Sequence, residues 1–167
     1  MSLEIRDATE ADLAGIAAIY NEVIATSTAV YAYDAVSVAE RRDWWRRRTA
    51  QGYPVLIAAH EAGVAGFASF GDFRAWPGYR FTVEHSVHVL AGMRGQGVGT
   101  ALLQALLSRA EACGKHVMVG GVDAANAAGI RFHEHLGFTR GALLHEVGYK
   151  FHRWLDLVFM QRRVSAG

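Results

Sequence analysis

Cysteine is nearly absent from this chain of 167 residues: Cys113 stands alone. A single thiol excludes an internal disulfide and fits a reducing compartment. It falls late in a stretch that reads as helix, so a packed or partly exposed thiol is expected rather than a nucleophile. No run approaches the ~18 uncharged apolar residues of a membrane span, so no membrane association is expected. The opening Met1-Ser2-Leu3-Glu4-Ile5-Arg6-Asp7 has no apolar core of a secretory signal, and the expected location is cytoplasmic. Neither sign of charge prevails, with 17 Lys and Arg against 16 Asp and Glu. A net charge of +1 leaves no electrostatic footprint for nucleic acid. The one basic run, Arg46-Arg47-Arg48 after Trp44-Trp45, reads as the solvated face of a helix whose apolar residues pack inward. There is no linker, internal repeat or low-complexity segment. No His-x-x-x-His or cysteine cluster has metal-site spacing. His133 and His135 leave different sides of a helix, His60, His116 and His145 have no partner pattern, and no metal is expected.

What is present suits one compact domain over residues 1–167. The composition is 51% hydrophobic and 20% charged, and the length is enough for a proper core. Leu3 to Arg6 alternates like a strand. Thr9 then opens a helix with Asp12 three residues on and an apolar face of Leu13, Ile16, Ile19 and Tyr20. Ser37 and Glu40 form a capping box for a second helix through about Thr49. Val55 to His60 and Val64 to Phe70 read as strands joined by a hairpin at Glu61-Ala62-Gly63. A strand over 81–90, a helix over 98–112 and a strand from His116 to Val122 come next. A helix over 126–136 follows, then strands near 138–147 and 154–163. The order is β-α-α-β-β-β-α-β-α-β-β.

Between the strand at 81–90 and the helix at 98–112 lies Arg94-Gly95-Gln96-Gly97-Val98-Gly99-Thr100. Alternate glycines bare the backbone N–H groups of this loop, and the helix beyond adds free N–H groups and the positive end of its dipole. Together these make an anion site, most naturally for a pyrophosphate. Arg94 adds a charged fork suited to phosphate oxygens. Four readings compete. A P-loop requires a lysine where Gly99 stands before Thr100, and a dinucleotide fingerprint requires glycine at Thr100. The third pattern, Arg/Gln-x-x-Gly-x-Gly/Ala, is met by Arg94, Gly97 and Gly99. The fourth is a turn with no ligand.

A second segment, Asn126 to Phe138 (NAAGIRFHEHLGF), opens on a fitting N-cap and ends in Leu-Gly-Phe, with Gly137 where a helix turns off at positive φ. The two segments, in this order and spacing, resemble the coenzyme A elements of the GNAT family of N-acetyltransferases. That resemblance spans essentially the whole chain. It implies an α/β (mixed α+β) GNAT fold, a central mixed twisted sheet of about seven strands flanked by about four helices. It implies acetyl-CoA as co-substrate and a homodimer. The pyrophosphate would lie on Arg94, Gly95, Gln96, Gly97, Val98, Gly99 and Thr100. The pantetheine would lie along Val87, His88 and Val89, bonded like an added strand, with Asn126 beside the coenzyme.

Acetyl transfer to an amine needs a base for the ammonium, donors for the thioester oxygen and a proton for the thiolate. Thr82-Val83-Glu84-His85-Ser86-Val87-His88-Val89 offers Glu84, a carboxylate in an apolar strand that is either solvent-facing or functional. By alternation Glu84, Ser86 and His88 share one face, and Val83, His85, Val87 and Val89 the other, unless a bulge intervenes. The segment resembles that of the phosphinothricin/methionine sulfoximine N-acetyltransferase subgroup, where Glu84 would be the general base. There His133 occupies the place of a tyrosine that protonates the thiolate in many family members. A neutral imidazole is a poor proton donor, though its N–H can still bond a thiolate, and a protonated one could supply the proton. The alternative is a helix histidine packed against the coenzyme pocket.

For the acceptor, the loop Gly71 to Arg80 is dense in aromatics and arginine, and Arg74, Ala75 and Trp76 are its candidate contacts. Tyr31, between the first two helices, is another candidate, although core packing explains it equally well. Lys150 falls in Gly148-Tyr149-Lys150-Phe151-His152-Arg153-Trp154-Leu155-Asp156, which resembles a subgroup block with glycine where His152 stands; this difference is expected to narrow or retune the acceptor pocket. His88 likewise stands where the subgroup often has tyrosine. The expected partner is a small amino-acid-like acceptor, acetylated on its α-amino group. Alternatives are a peptide N-terminus, a lysine or a polyamine, or a module that senses acetyl-CoA without turnover.

Overall fold

The computed structural model describes residues 2–165. Its elements run β1 (Glu4–Asp7), α1 (Leu13–Thr26), α2 (Val38–Ala50), β2 (Val55–His60), β3 (Gly63–Asp72) and β4 (Thr82–Val89). They continue with α3 (Val98–Ala112), β5 (Val117–Asp123), α4 (Ala127–His135), β6 (Thr139–Lys150) and β7 (Arg153–Arg163). The seven strands form one sheet in the order β1-β2-β3-β4-β5-β7-β6. Only β4 and β5 run parallel; every other pair is antiparallel.

Local chemistry sets the helix starts. Asp12 accepts from the backbone N–H and hydroxyl of Thr9 and from both terminal nitrogens of Arg6, which tie β1 to the first turn. That turn, Glu10–Asp12, is a 3₁₀ turn before α1. Ser37 and Glu40 exchange side-chain bonds at the start of α2. Gly97, at φ +82°, is the N-cap of α3, and Asn126 caps α4 by accepting from Gly129 N–H at 2.9 Å.

Strand alternation divides the core in two. Val55 and Ile57 of β2 turn to α1 with Leu13, Ile16 and Phe67, whereas Leu56 and Ala58 turn to the α3 side with Leu102, Leu106 and Met118. The same rule sorts β4. Val83 and Val87 pack on the α3 side, and His88 meets Tyr20 and Phe67 on the α1 side. No bulge interrupts this strand against β3. Helix α2 buries no residue fully; it rests on the sheet through Trp44, edge-on to Phe67 at 6.1 Å.

Candidate active site

β4 pairs with β5 only over Thr82–Glu84 against Val117–Val119. Beyond Glu84 the strands part. Leu90 N–H bonds Ala65 O on β3 at 2.8 Å, so by ladder alternation the backbone of Val87 and Val89 faces the gap. Two cavities open there. One, of about 320 Å³, runs from Val87 and Val89 past Met93 to Gly95, Gly97, Val98, Gly99 and Thr100. The other, of about 480 Å³, is floored by Glu84 to His88 and bounded by α1, α2, α4 and the end of β5. They share Val87 and Phe132, so the first opens into the second.

The smaller cavity fits a diphosphate and its arm. The first N–H groups of α3 point into it with no side chain from Gly95, Gly97 or Gly99 in the way. Arg94 leans back across the end of β4, donating from Nε to Val89 O at 3.2 Å and pairing with Glu22 at 3.1 Å. Its remaining guanidinium nitrogen has no partner among the described residues. Gln96 is exposed and donates to Gly92 O, bracing the loop rather than lining the groove.

In the larger cavity Glu84 is central. Its Oε2 lies 3.8 Å from where a Cβ on Gly121 of β5 would stand, at the mouth of the strand gap. Burial raises its pKa above the ordinary carboxylate value, and the charges of Arg74 and Arg48 oppose that rise.

On the opposite face His85 and His133 form a couple. Their rings stack at 5.1 Å and their Nε2 atoms are 3.1 Å apart. His133 Nδ1 lies 2.7 Å from Gly129 O, and a carbonyl only accepts, so Nδ1 carries the proton. His133 Nε2 must then accept from His85 Nε2–H. This leaves His85 Nδ1 a buried lone pair without a partner. Burial holds both rings neutral: the pKa of His85 falls to about 3, and that of His133 is also lowered. Gly120 makes room for the contact, since a Cβ there would come within 2.4 Å of His85 Nε2. Successive glycines in β5 thus clear opposite faces of the sheet.

The placement of other expected residues differs from the sequence reading. His133 lines the larger cavity with its Nδ1 turned to Gly129 O and its Nε2 to His85. Lys150 does not face the cavity. It is 3% exposed, and its ammonium donates to Ser27 O and Val30 O, both at 2.7 Å, pinning the β6–β7 hairpin to the loop after α1. Tyr31 is half-buried against Gly148 of that hairpin, with its hydroxyl 3.4 Å from Asp156 O, and is not among the residues that line the larger cavity. Its neighbours Ala29 and Val30, by contrast, reach the cavity wall. His152 lies in the β6–β7 turn at φ +59°, beside Tyr149 and Phe151 in a separate hollow, so it does not narrow the acceptor space. Arg74, Ala75 and Trp76 are exposed and do not line the larger cavity; Arg74 lies over the Phe73 ring at 5.3 Å, and its charge reaches Glu84. Asn126 does line the larger cavity. His88 also does so, and it is absent from the lining of the smaller cavity.

Sequence reasoning missed Arg41, Arg48 and His85. The signal for the arginines was their spacing with Trp44, at i, i+3 and i+7 on one helix face. Among the described residues no group of three or more His, Cys, Asp or Glu is placed to hold a metal, and no helix is long and apolar enough to cross a membrane.

A sheet parted beside a glycine-lined helix start, with a half-buried carboxylate in the adjoining cavity, is an arrangement that suits acyl transfer. Residues 16–138 match the acetyltransferase (GNAT) family, and the chain belongs to this family of N-acetyltransferases. It is 51% identical over 162 residues to the L-methionine sulfoximine/L-methionine sulfone acetyltransferase of Pseudomonas aeruginosa, covering 96% of this chain and 94% of that protein. It is 35% identical to the phosphinothricin N-acetyltransferase of Alcaligenes faecalis, covering 98% and 83%. Its fold matches that of an acetyltransferase from Salmonella typhimurium solved with acetyl-CoA, at a TM-score of 0.96 and 45% identity, covering 100% and 96%.

Proposed function

We propose that this enzyme uses acetyl-CoA to acetylate the α-amino group of small amino-acid analogues of the methionine sulfoximine, methionine sulfone and phosphinothricin type, with Glu84 as general base. The observation that carries the reading is the partly desolvated Glu84 carboxylate in the larger cavity, which shares Val87 and Phe132 with the glycine-lined groove. Names and co-substrate of the similar proteins point the same way.

Glycines 95, 97 and 99 and the α3 N-terminus take the diphosphate, and the gap-facing edge of Val87, with the N–H of Val89, takes the arm; Val89 O is already engaged by Arg94. Bound there, acetyl-CoA supplies the activated acetyl group and carries off the sulfur leaving group, whose proton comes from the attacking nitrogen. Glu84 removes the ammonium proton, directly or through water, and leaves the lone pair free to attack. The His133–His85 couple holds the wall of this chamber in one proton arrangement. Arg74, Ala75 and Trp76 form the rim by which the acceptor enters, and the charge of Arg74 draws an anionic one. The protein works in the cytoplasm.

Glu84→Gln tests the base. With methionine sulfone, turnover at neutral pH is expected to fall ~10²-fold or more while acetyl-CoA affinity holds. Raising the pH should restore part of the rate, because more of the amine is then free. A variant that keeps the parent pH–rate profile removes Glu84 from the chemistry.

A homodimer also belongs to the reading. The β6–β7 hairpin exposes Leu143, Val147, Tyr149, Phe151 and Trp154 together, the last at 64%, an apolar surface suited to a second copy of the chain.

A further inference from the structure

Helix α2 sends two guanidinium groups into the larger cavity, Arg41 and Arg48, two turns apart on one face. Arg41 is held between Tyr20 and Trp44, its Cζ 4.2 Å from each ring centroid. Arg48 reaches across to β3 and fills the space above Gly71, where a Cβ would come within 1.5 Å of its Nη1. Neither makes an ion pair among the described residues, and the Nε of each is buried with no partner. The groups facing Arg48 are Asp72, Arg47, Tyr53 and Glu84. Asp72 is exposed and already accepts from the Tyr53 hydroxyl, and Glu84 lies beyond ion-pair distance. A half-buried guanidinium without a counter-ion is an unfavourable arrangement unless an anion joins it.

The seat of Arg48 says which anion. Gly71 is the residue directly opposite Glu84 in the β3–β4 register. Opposed residues of antiparallel strands project to the same face with Cβ atoms about 5 Å apart. Because Gly71 has no side chain, the guanidinium occupies the place beside Glu84. In an α-amino acid the carboxylate and the amine share one carbon, so the two groups need receivers at this close spacing.

We propose that Arg48, seated on Gly71, receives the α-carboxylate of the acceptor and thereby holds its α-amine against Glu84. This rests on the function proposed above and sharpens it: the enzyme selects α-amino acids over amines that lack the carboxylate. The planar fork of arginine suits both carboxylate oxygens at once, which a lysine cannot match.

The test compares methionine sulfone with its methyl ester in the parent, Arg48→Met, Arg48→Lys and Gly71→Ala. Each variant is referred to the parent on the same substrate, so differences in amine basicity cancel. Arg48→Met should raise KM for the acid about 10- to 100-fold, the scale of one charge-assisted contact, with the ester little changed. Arg48→Lys should fall between. Gly71→Ala keeps every charge but places a methyl in the guanidinium's seat, and should show the same selective loss. Acetyl-CoA affinity, measured by calorimetry, should be unchanged in all three and serves as the control for folding. Acid and ester impaired equally, or neither impaired, would overturn the carboxylate assignment and leave the acetyltransferase reading intact. A parent that acetylates neither compound overturns both.

Discussion

Three histidines enter the interior of this sheet as neutral rings, and that neutrality is a stability statement. Burial lowers the pKa of His85 to about 3 and of His88 to about 4, and lowers that of His133 as well. An unfolded histidine titrates near 6.5. Below that pH the unfolded chain takes up protons that the folded chain refuses, so folding is weakened as pH falls and is unaffected above it. Each group contributes up to about 1.4 kcal/mol per pH unit until its folded value is reached. The couple adds a geometric reason, because a proton on His133 Nε2 would meet the proton that His85 donates there. The urea midpoint should therefore drop clearly between pH 7 and pH 5, and His88→Phe should reduce that drop. Asp12, whose pKa Arg6 lowers by hydrogen bonding, weakens the fold only from about pH 4 downward, outside this window. Equal midpoints at pH 7 and pH 5 would mean that these rings are not buried neutral.

At the level of elements, the start of α3 carries the sharpest expectation. Gly97 caps it at φ +82°, a conformation that a β-branched residue adopts only under strain, and its Cα lines the coenzyme groove. Gly97→Val should remain folded yet bind acetyl-CoA at least tenfold more weakly by calorimetry. A folded variant with parent affinity would place the diphosphate elsewhere. The elements themselves were legible in the chain because caps and periodicities agree. Ser37 with Glu40 marks the start of α2, and the apolar spacing of Val98, Leu102, Leu106 and Ala110 marks α3 from end to end. Strand ends moved by a few residues, since partners and not propensity decide them; β6 runs on to Lys150 because β7 pairs with it that far. What resisted reading was anything made by distant pairing. The parting of β4 from β5 has no local signal. Arg48 reads as solvated within a basic run, and only its place opposite Gly71 in space reveals another use. Lys150 sat in a suggestive motif, but the carbonyls that hold it come from Ser27 and Val30, more than a hundred residues earlier.

Taken whole, the molecule is asymmetric in how it finishes its sheet. β1 lies at one edge beneath a capped helix, whereas the β6–β7 hairpin at the other edge leaves nine of its first ten β6 residues and several large apolar side chains in solvent. An edge of that kind invites pairing or burial. Trp154→Arg combined with Leu144→Glu should shift a dimer to monomers in sedimentation equilibrium without unfolding the chain; a parent that is monomeric at micromolar concentration would refute the pairing. The parted strands carry a different consequence. In the seat proposed for the co-substrate its arm bonds main chain, and that bonding does not depend on which side chains positions 87 to 89 carry. Val87 and Val89 line the smaller cavity, while His88 between them turns its ring to Tyr20 and Phe67 on the other face. On the proposed reading β4 divides two tasks by face, so that a change at His88 reshapes the wall of the larger cavity and leaves the main-chain edge in the strand gap as it was.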